Sequence, residues 1–421
     1  MLVMGGIVGA GIFMNPYVVA QRVHTAPLIL GAWLVGGIVA LAAAFIWAEL
    51  ADRMPQVGGQ YAYLREAYNP LVAFLYGWVL LLVIQTGGMA AVVVTFARYF
   101  MEITGWQAGE WQVALTALAA LTLVNCLGVR AGGTVQSALM VVKIAAIVML
   151  VGAGLFLIHE HSVAWKPLLD RPVSPGLLSA FGAALVPVVF AYGGWQTASF
   201  VSGEMKQPRR DLPRALVLGV TAVALLYVSV NYVYLRALGA DGLAQTRTPA
   251  SAVMRLAMGQ RGASLIALGI AISALGFLSQ SVLTAPRVYF AMAEDRVFFR
   301  MLAWIDPRTQ VPVAAIILQS VWTMVIVLWG TYDAILNYVT SMDAMFWALT
   351  AGCLFVLRRR EPAASAFPMP GHPWTTAAFC LVCTGVVANT IYQYPKNTLI
   401  GMAILASGVP LYYIWKLVTR P

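Results

Sequence analysis

Twelve apolar stretches, near residues 1–20, 27–50, 70–100, 111–128, 136–158, 177–201, 213–236, 262–291, 311–329, 332–357, 374–393 and 397–417, follow one another along this chain of 421 residues. Each is close to the roughly 20 residues that carry a helix across a bilayer core. Hydrocarbon offers no hydrogen-bond partners, so a spanning segment must satisfy its own backbone groups, and these runs are too continuous for the alternating pattern of a β-barrel strand. The chain is therefore expected to be an all-α polytopic membrane protein with 12 transmembrane helices. Only 10% of its residues are charged and its mean hydropathy is +0.81, which excludes a soluble domain. The longest hydrophilic stretches, about 158–176, 237–261 and 292–311, leave no room for a separate extramembrane unit, so residues 1–421 read as one integral domain.

The net charge of +10 would suggest nucleic acid in a soluble protein, but here the basic residues lie between spans and report topology. With both termini in the cytoplasm, sixteen Lys and Arg fall inside and nine outside, as the positive-inside rule favours. The 236–261 segment, with four arginines, fits least well. Cys126, Cys353, Cys380 and Cys383 all fall within spans. The C-x-x-C formed by Cys380 and Cys383 places two small apolar side chains on one helix face and reads as packing. Only eight residues precede Gly9, so the cytoplasmic half of the first helix is expected either to be short or to begin upstream.

Two spans are punctured by glycine, at Gly5-Gly6-Ile7-Val8-Gly9-Ala10-Gly11-Ile12-Phe13 and at Phe190-Ala191-Tyr192-Gly193-Gly194-Trp195. Glycine is a poor helix former that tolerates unwound backbone, and unwound backbone survives at membrane depth only inside protein or against a polar cavity. Each broken span is followed by four more. This gives a first repeat over 1–158, a second over 177–357 and two additional helices over 374–417. An odd number of helices per repeat inverts the second copy, the arrangement of secondary transporters. Close helix packing alone is the plainer reading of the glycines, but it does not require breaks at corresponding places.

The segments Gly9-Ala10-Gly11-Ile12-Phe13, Glu49 to Tyr61, Phe190 to Trp195, Glu204 to Pro213 and Pro286 to Phe299 resemble the signatures of the amino acid–polyamine–organocation superfamily, within it most closely the L-amino acid transporter type. The resemblance runs from about residue 5 to 360. It implies a LeuT-type fold with helices 1 and 6 broken and alternating-access transport of amino acids.

An amino acid brings a carboxylate and an ammonium, and half-helix ends can receive both. The first turn of the outer half of span 1 presents N–H groups at Ala10, Gly11 and Ile12 for the carboxylate. Carbonyls at Ile7, Phe190 and Gly193 are placed for the ammonium, as the resemblance also implies, with Ala191 beside them. The non-helical stretches are expected at Gly9 to Ile12 and Ala191 to Gly193. Phe190 resembles the family's gating aromatic. Lys143 sits mid-span, where an ammonium costs on the order of 3 kcal/mol and needs partners. The resemblance puts it in the space of a sodium ion, with the carbonyls of Gly5 and Val8 and groups between Ser273 and Ser281 as acceptors; a purely structural lysine is the alternative. Where sodium-coupled relatives present an amide, this chain has Ile12, so no metal site and no cofactor are expected.

These readings converge on a sodium-independent exchanger of neutral L-amino acids in a prokaryotic cytoplasmic (inner) membrane. Neutral substrates are favoured because no charged residue other than Lys143 is expected to face the site. A proton-coupled amino acid or polyamine permease is the alternative, and a non-transporting amino acid receptor a weaker one. No nucleophile paired with a base, Walker loop or HExxH motif points to an enzyme. Glu49, Asp52, Glu204, Glu294 and Asp295 border spans and suit solvated gate or loop roles. The loop 101–110 lacks the cysteine through which animal relatives attach a heavy chain, so no covalent heavy chain is expected.

Overall fold

The structure is a computed structural model that describes residues 2–54, 58–127, 132–158, 163–200, 205, 207–330, 332–360 and 365–418. Pro55 to Val57, Arg130, His159, His161, Glu204, Lys206 and Arg420 lie outside the described residues. Every regular element among the described residues is helical. The first apolar stretch forms α1 (Leu2–Ile7) and α2 (Gly11–Arg22), followed by α3 (Ala26–Arg53) and the short α4 (Gln60–Ala67). α5 (Pro70–Val79) runs through a π-helical turn, Leu80–Ile84, into α6 (Gln85–Thr104); α7 (Glu110–Cys126) and α8 (Gly132–Phe156) complete the first half. The second half contains α9 (Pro175–Tyr192), α10 (Thr197–Phe200), α11 (Pro208–Gln245), α12 (Pro249–Thr284), α13 (Pro286–Glu294), α14 (Val313–Trp329) and α15 (Tyr332–Arg360). α16 (Trp374–Gln393) and α17 (Pro395–Val418) follow.

Helix starts are set by local chemistry. Proline opens α5, α9, α11, α12 and α13, where its missing N–H is no loss and its φ is already helical. Asn69 and Ser174 accept the N–H of Val72 (3.0 Å) and Leu177 (3.3 Å), capping α5 and α9. Among the described residues eight helices are long and apolar enough to cross a membrane, and Glu110–Cys126, Val141–Phe156 and Val313–Trp329 are shorter apolar helices. The stretch 237–261, read as a hydrophilic connection, is mostly helix. α11 continues to Gln245 across a kink at Gly239, and α12 starts at Pro249 and bends at Gly259. Both glycines have positive φ (67° and 69°), which lets the helix turn without breaking its polar backbone away from partners.

The helices pack in a recurring set of pairs: α2 lies against α9, α3 against α11, α6 against α12, and α7 against α14. α8 packs on α12 and α11. One continuous apolar core fills the space between them. Polar groups inside it are tied to backbone, as at Asn15, whose amide donates to Pro187 O (2.6 Å) and whose Oδ1 accepts from the Tyr332 hydroxyl (2.9 Å). This joins α2, α9 and α15 at one end of the bundle. At the other end, Asp295 accepts from Arg65 (2.6 Å) and Tyr61 (2.7 Å).

Candidate functional site

The two glycine-punctured segments lose helical structure and touch each other. Val8 to Ala10 separate α1 from α2, and residues 193–196 separate α9 from α10. Both breaks differ from the expected limits. Gly11 and Ile12 already belong to α2, because the N–H groups of Phe13 (3.0 Å) and Met14 (3.1 Å) both close on Ala10 O. Ala191 and Tyr192 are still helical, because Gly193 N–H donates to Val189 O (2.9 Å) and closes one more turn. Gly193 is then extended (ψ 165°) and Gly194 takes φ +105°. The backbones meet at Gly6 and Gly194: a Cβ on Gly6 would stand 2.6 Å from Gly194 O. A Cβ on Gly11 would stand 2.6 Å from the Cα of Ala191.

A cavity opens at this junction. Ile7, Gly9, Ala10 and Gly11 line it from the first break, and Phe190, Ala191, Gly193 and Gly194 from the second. Ile12 is fully buried and does not line it. The N–H groups of Gly11 and Ile12 have no intrahelical acceptor, the ordinary state of a helix's first turn. The carbonyls are partly engaged. Ile7 O accepts from the Tyr227 hydroxyl (3.1 Å) and Phe190 O from Gly193 N–H (3.2 Å), and each keeps a second lone pair. Trp195 is core, 4.4 Å centroid to centroid from Trp347.

Lys143 is buried and stands outside the cavity lining. Its ammonium donates to Val8 O (3.0 Å), the first carbonyl of the first break. Among the described residues neither the Gly5 carbonyl nor a hydroxyl between Ser273 and Ser281 accepts from it; the contact from α12 is the Phe277 ring, with Nζ 5.9 Å from its centroid. Phe277 also lines the cavity, and a Cβ on Gly9 would lie 3.1 Å from it. The lysine, the first break and α12 thus share one ring.

Two expectations need correction. Charged residues at the site are not limited to Lys143, because Asp343 of α15 lines the cavity. An acid in the middle of an apolar span is itself a functional signal, and it was legible in Thr340-Ser341-Met342-Asp343-Ala344-Met345-Phe346. Glu49 is not solvated. It is fully buried, accepting from Arg53 (2.9 Å), from Arg358 (2.6 Å) and from Met369 N–H (2.7 Å). Asp52 beside it accepts from Ser365 (2.6 Å) and Ala366 N–H (2.8 Å). Sequence reasoning also missed Gln85, Gln196 and Thr197 in the lining. Gln85 is delivered by the π turn before it, where Thr86 Oγ1 reaches back five residues to Leu81 O (2.7 Å). Such turns recur at functional sites but leave no pattern in a sequence.

A family model described as amino acid permease matches residues 1–413. The chain belongs to the amino acid permease family. The permease is 30% identical over 419 residues to the serine/threonine exchanger SteT of Bacillus subtilis (strain 168), covering 98% of this chain and 94% of that protein. It is 26% identical to human large neutral amino acids transporter small subunit 2, covering 98% and 78%, and 27% identical to the human cystine/glutamate transporter, covering 98% and 83%. The permease is thus a multi-pass membrane transporter of the amino acid type, not an enzyme. Among the described residues no group of three or more His, Cys, Asp or Glu is placed to hold a metal ion.

Proposed function

We propose that this permease exchanges L-amino acids across a bacterial cytoplasmic membrane by alternating access, without sodium. The observation that carries the reading is the cavity walled by the backbone of both helix breaks, with unpaired N–H groups on one side and carbonyl ends on the other. These dipoles suit the carboxylate and ammonium of a zwitterion. In this reading the backbone of Ala10 and Gly11 holds the carboxylate, Ile7, Phe190, Ala191 and Gly193 surround the ammonium, and the Phe190 ring closes over the substrate. The relative named as a serine/threonine exchanger, matched over nearly its whole length, supports amino acid exchange.

Twelve crossings with cytoplasmic termini, arranged as two inverted five-helix repeats of the LeuT type and two added helices, are part of the same proposal. The pairing of α2 with α9, α3 with α11, α6 with α12 and α7 with α14 supports it, because each helix meets the one at the same position in the other half. Preference for neutral side chains loses its basis once Asp343 is placed in the cavity. The reading also includes no covalent heavy chain.

Sodium independence rests on two side chains. Sodium is held by a cage of oxygen ligands, while here an ammonium occupies the carbonyl of Val8 and Ile12 presents only hydrocarbon at the start of α2. With no ion to reset the empty carrier, its return is expected to be faster when it carries substrate, since a ligand shifts a two-state equilibrium only by its differential affinity. Vesicles preloaded with unlabelled amino acid should take up labelled amino acid several-fold faster than empty ones, and a sodium gradient should change nothing. Uptake indifferent to internal substrate but driven by a sodium or proton gradient would overturn the exchange reading.

Lys143 carries a second prediction. Its bond to Val8 O ties α8 to the first break, and hydrogen bonds to charged groups contribute roughly 1.5–3 kcal/mol. Lys143→Ala should slow exchange about ten- to a hundredfold if that energy is expressed in the transport transition. Exchange rates like those of the unmodified protein, at matched amounts in the vesicles, would remove Lys143 from the mechanism.

A further inference from the structure

The cavity at the helix breaks contains one acidic side chain and no basic one. Asp343 is its sole ionisable lining residue among those described; Lys, Arg and His are all absent from the lining. The side chains that approach the carboxylate are neutral, the Gln196 amide and the Trp347 indole, and the indole nitrogen makes no hydrogen bond of normal geometry. Lys143 is engaged at Val8 O beside the Phe277 ring. Asp343 forms no ion pair among the described residues.

We infer that Asp343 is a specificity-determining residue that selects L-amino acids whose side chain ends in an ammonium or guanidinium group. This rests on the amino acid exchange reading above and refines its substrate class. The α-carboxylate and α-ammonium of any amino acid cancel each other and can be met by the backbone of the two breaks. With a neutral substrate the Asp343 carboxyl has no counter-charge, so it either stays as an unpaired buried ion, which costs several kcal/mol, or must take up a proton. A cationic side chain brings the missing charge, and its N–H groups form charge-assisted hydrogen bonds with the carboxylate.

The rest of the lining fits such a side chain. Asp343 and Val339 sit one helical turn apart on α15 and face the cavity together. The Gln85 amide oxygen, and the second lone pair of Gln196 Oε1, which already accepts from Gly194 N–H (3.0 Å), can receive the remaining N–H groups of an ammonium or guanidinium. Ile84, Val92 and Phe277 supply the apolar wall along which a methylene stem is buried while its charged tip stays at polar groups. An acidic side chain would instead face the carboxylate directly and be repelled.

The test uses the purified full-length protein in proteoliposomes preloaded with a mixture of unlabelled lysine, arginine, leucine and serine, with uptake of labelled L-lysine, L-arginine, L-leucine, L-serine and L-glutamate measured separately. Lysine or arginine uptake is expected to exceed leucine, serine and glutamate uptake. In Asp343→Asn, which keeps shape and removes charge, the ratio of cationic to neutral uptake should fall at least tenfold. Wild-type protein that carries leucine or serine but neither lysine nor arginine would overturn the inference and leave the exchange reading standing. So would a variant whose ratio stays within twofold, or neutral uptake driven by a pH gradient that Asp343→Asn abolishes, which would make the carboxylate a proton carrier. Absence of exchange with every amino acid would overturn both readings. If Asp343→Asn does not reach the vesicles folded, the wild-type ratio of lysine and arginine to leucine and serine decides alone.

Discussion

Gly194→Ala should abolish transport and reduce the yield of folded protein, although it adds one methyl group. At φ +105° an L side chain is strained, and a Cβ there would fall far inside contact distance of the Gly6 carbonyl oxygen and 2.7 Å from its carbon. Such backbone strain costs about 1–3 kcal/mol and overpacking about 1–3 kcal/mol more. Both obstacles are backbone, so no rotamer change relieves them. The substitution must push the end of α1 away from the second break, the contact on which the cavity depends. Gly385→Ala in α16 is the matched control: an added Cβ there meets nothing within 4 Å. It replaces a poor helix former by the best one, so expression and exchange should stay at or above the unmodified level. Gly194→Ala vesicles that exchange at more than about half the rate of the control would show that the two breaks need not touch.

Several helices were legible because they are uninterrupted apolar runs. Trp374–Gln393 matches its expected limits, and Ala26–Arg53 extends the expected 27–50 only at its polar ends. The glycine breaks were legible as breaks but displaced, since the last turn of α9 closes through Gly193 N–H and the first turn of α2 through Ala10 O. Those hydrogen bonds are decided by ψ at one or two residues, which composition does not encode. The 237–261 stretch was misread because three arginines look like a loop, while its polar residues are compatible with helix outside hydrocarbon and Gly239 and Gly259 absorb the change of direction. Asp343 was missed by attending to acids at span ends; one aspartate among apolar neighbours is a weak compositional signal and a strong energetic one. The surroundings of Glu49 could not be read at all. Two of its three partners, Arg358 and Met369, lie more than 300 residues away in sequence.

That last cluster carries the largest expected stability effect. Glu49 lies near the end of α3 with both carboxylate oxygens occupied: Oε1 by Arg53 and Arg358, Oε2 by Arg358 and the N–H of Met369. Asp52, one turn on, holds Ser365 and Ala366. Together the two acids fasten the stretch between α15 and α16 to the end of α3, close to where Arg65 and Tyr61 hold Asp295. A buried charge stripped of its partner is more costly than the pair is stabilising, about 3–5 kcal/mol. Glu49→Ala would take the carboxylate away from the Arg358 guanidinium and the Met369 N–H and remove one partner of Arg53, whose side chain is only 8% exposed. At about 2.1 cal/mol/K of unfolding entropy per residue, a chain of 421 residues shifts by about 1 °C per kcal/mol, so the thermal midpoint in detergent should fall by roughly 3–6 °C. Glu49→Gln keeps the shape and one acceptor oxygen but loses the charge, so its fall should be intermediate. Adding Arg358→Met to Glu49→Ala removes the charge that has lost its bonds to Glu49, and the double variant should be more stable than Glu49→Ala alone. A midpoint for Glu49→Ala within about 1 °C of the unmodified protein would show that water reaches the arginines freely. A double variant less stable than the single one would show instead that Arg358 supports the fold through contacts other than Glu49.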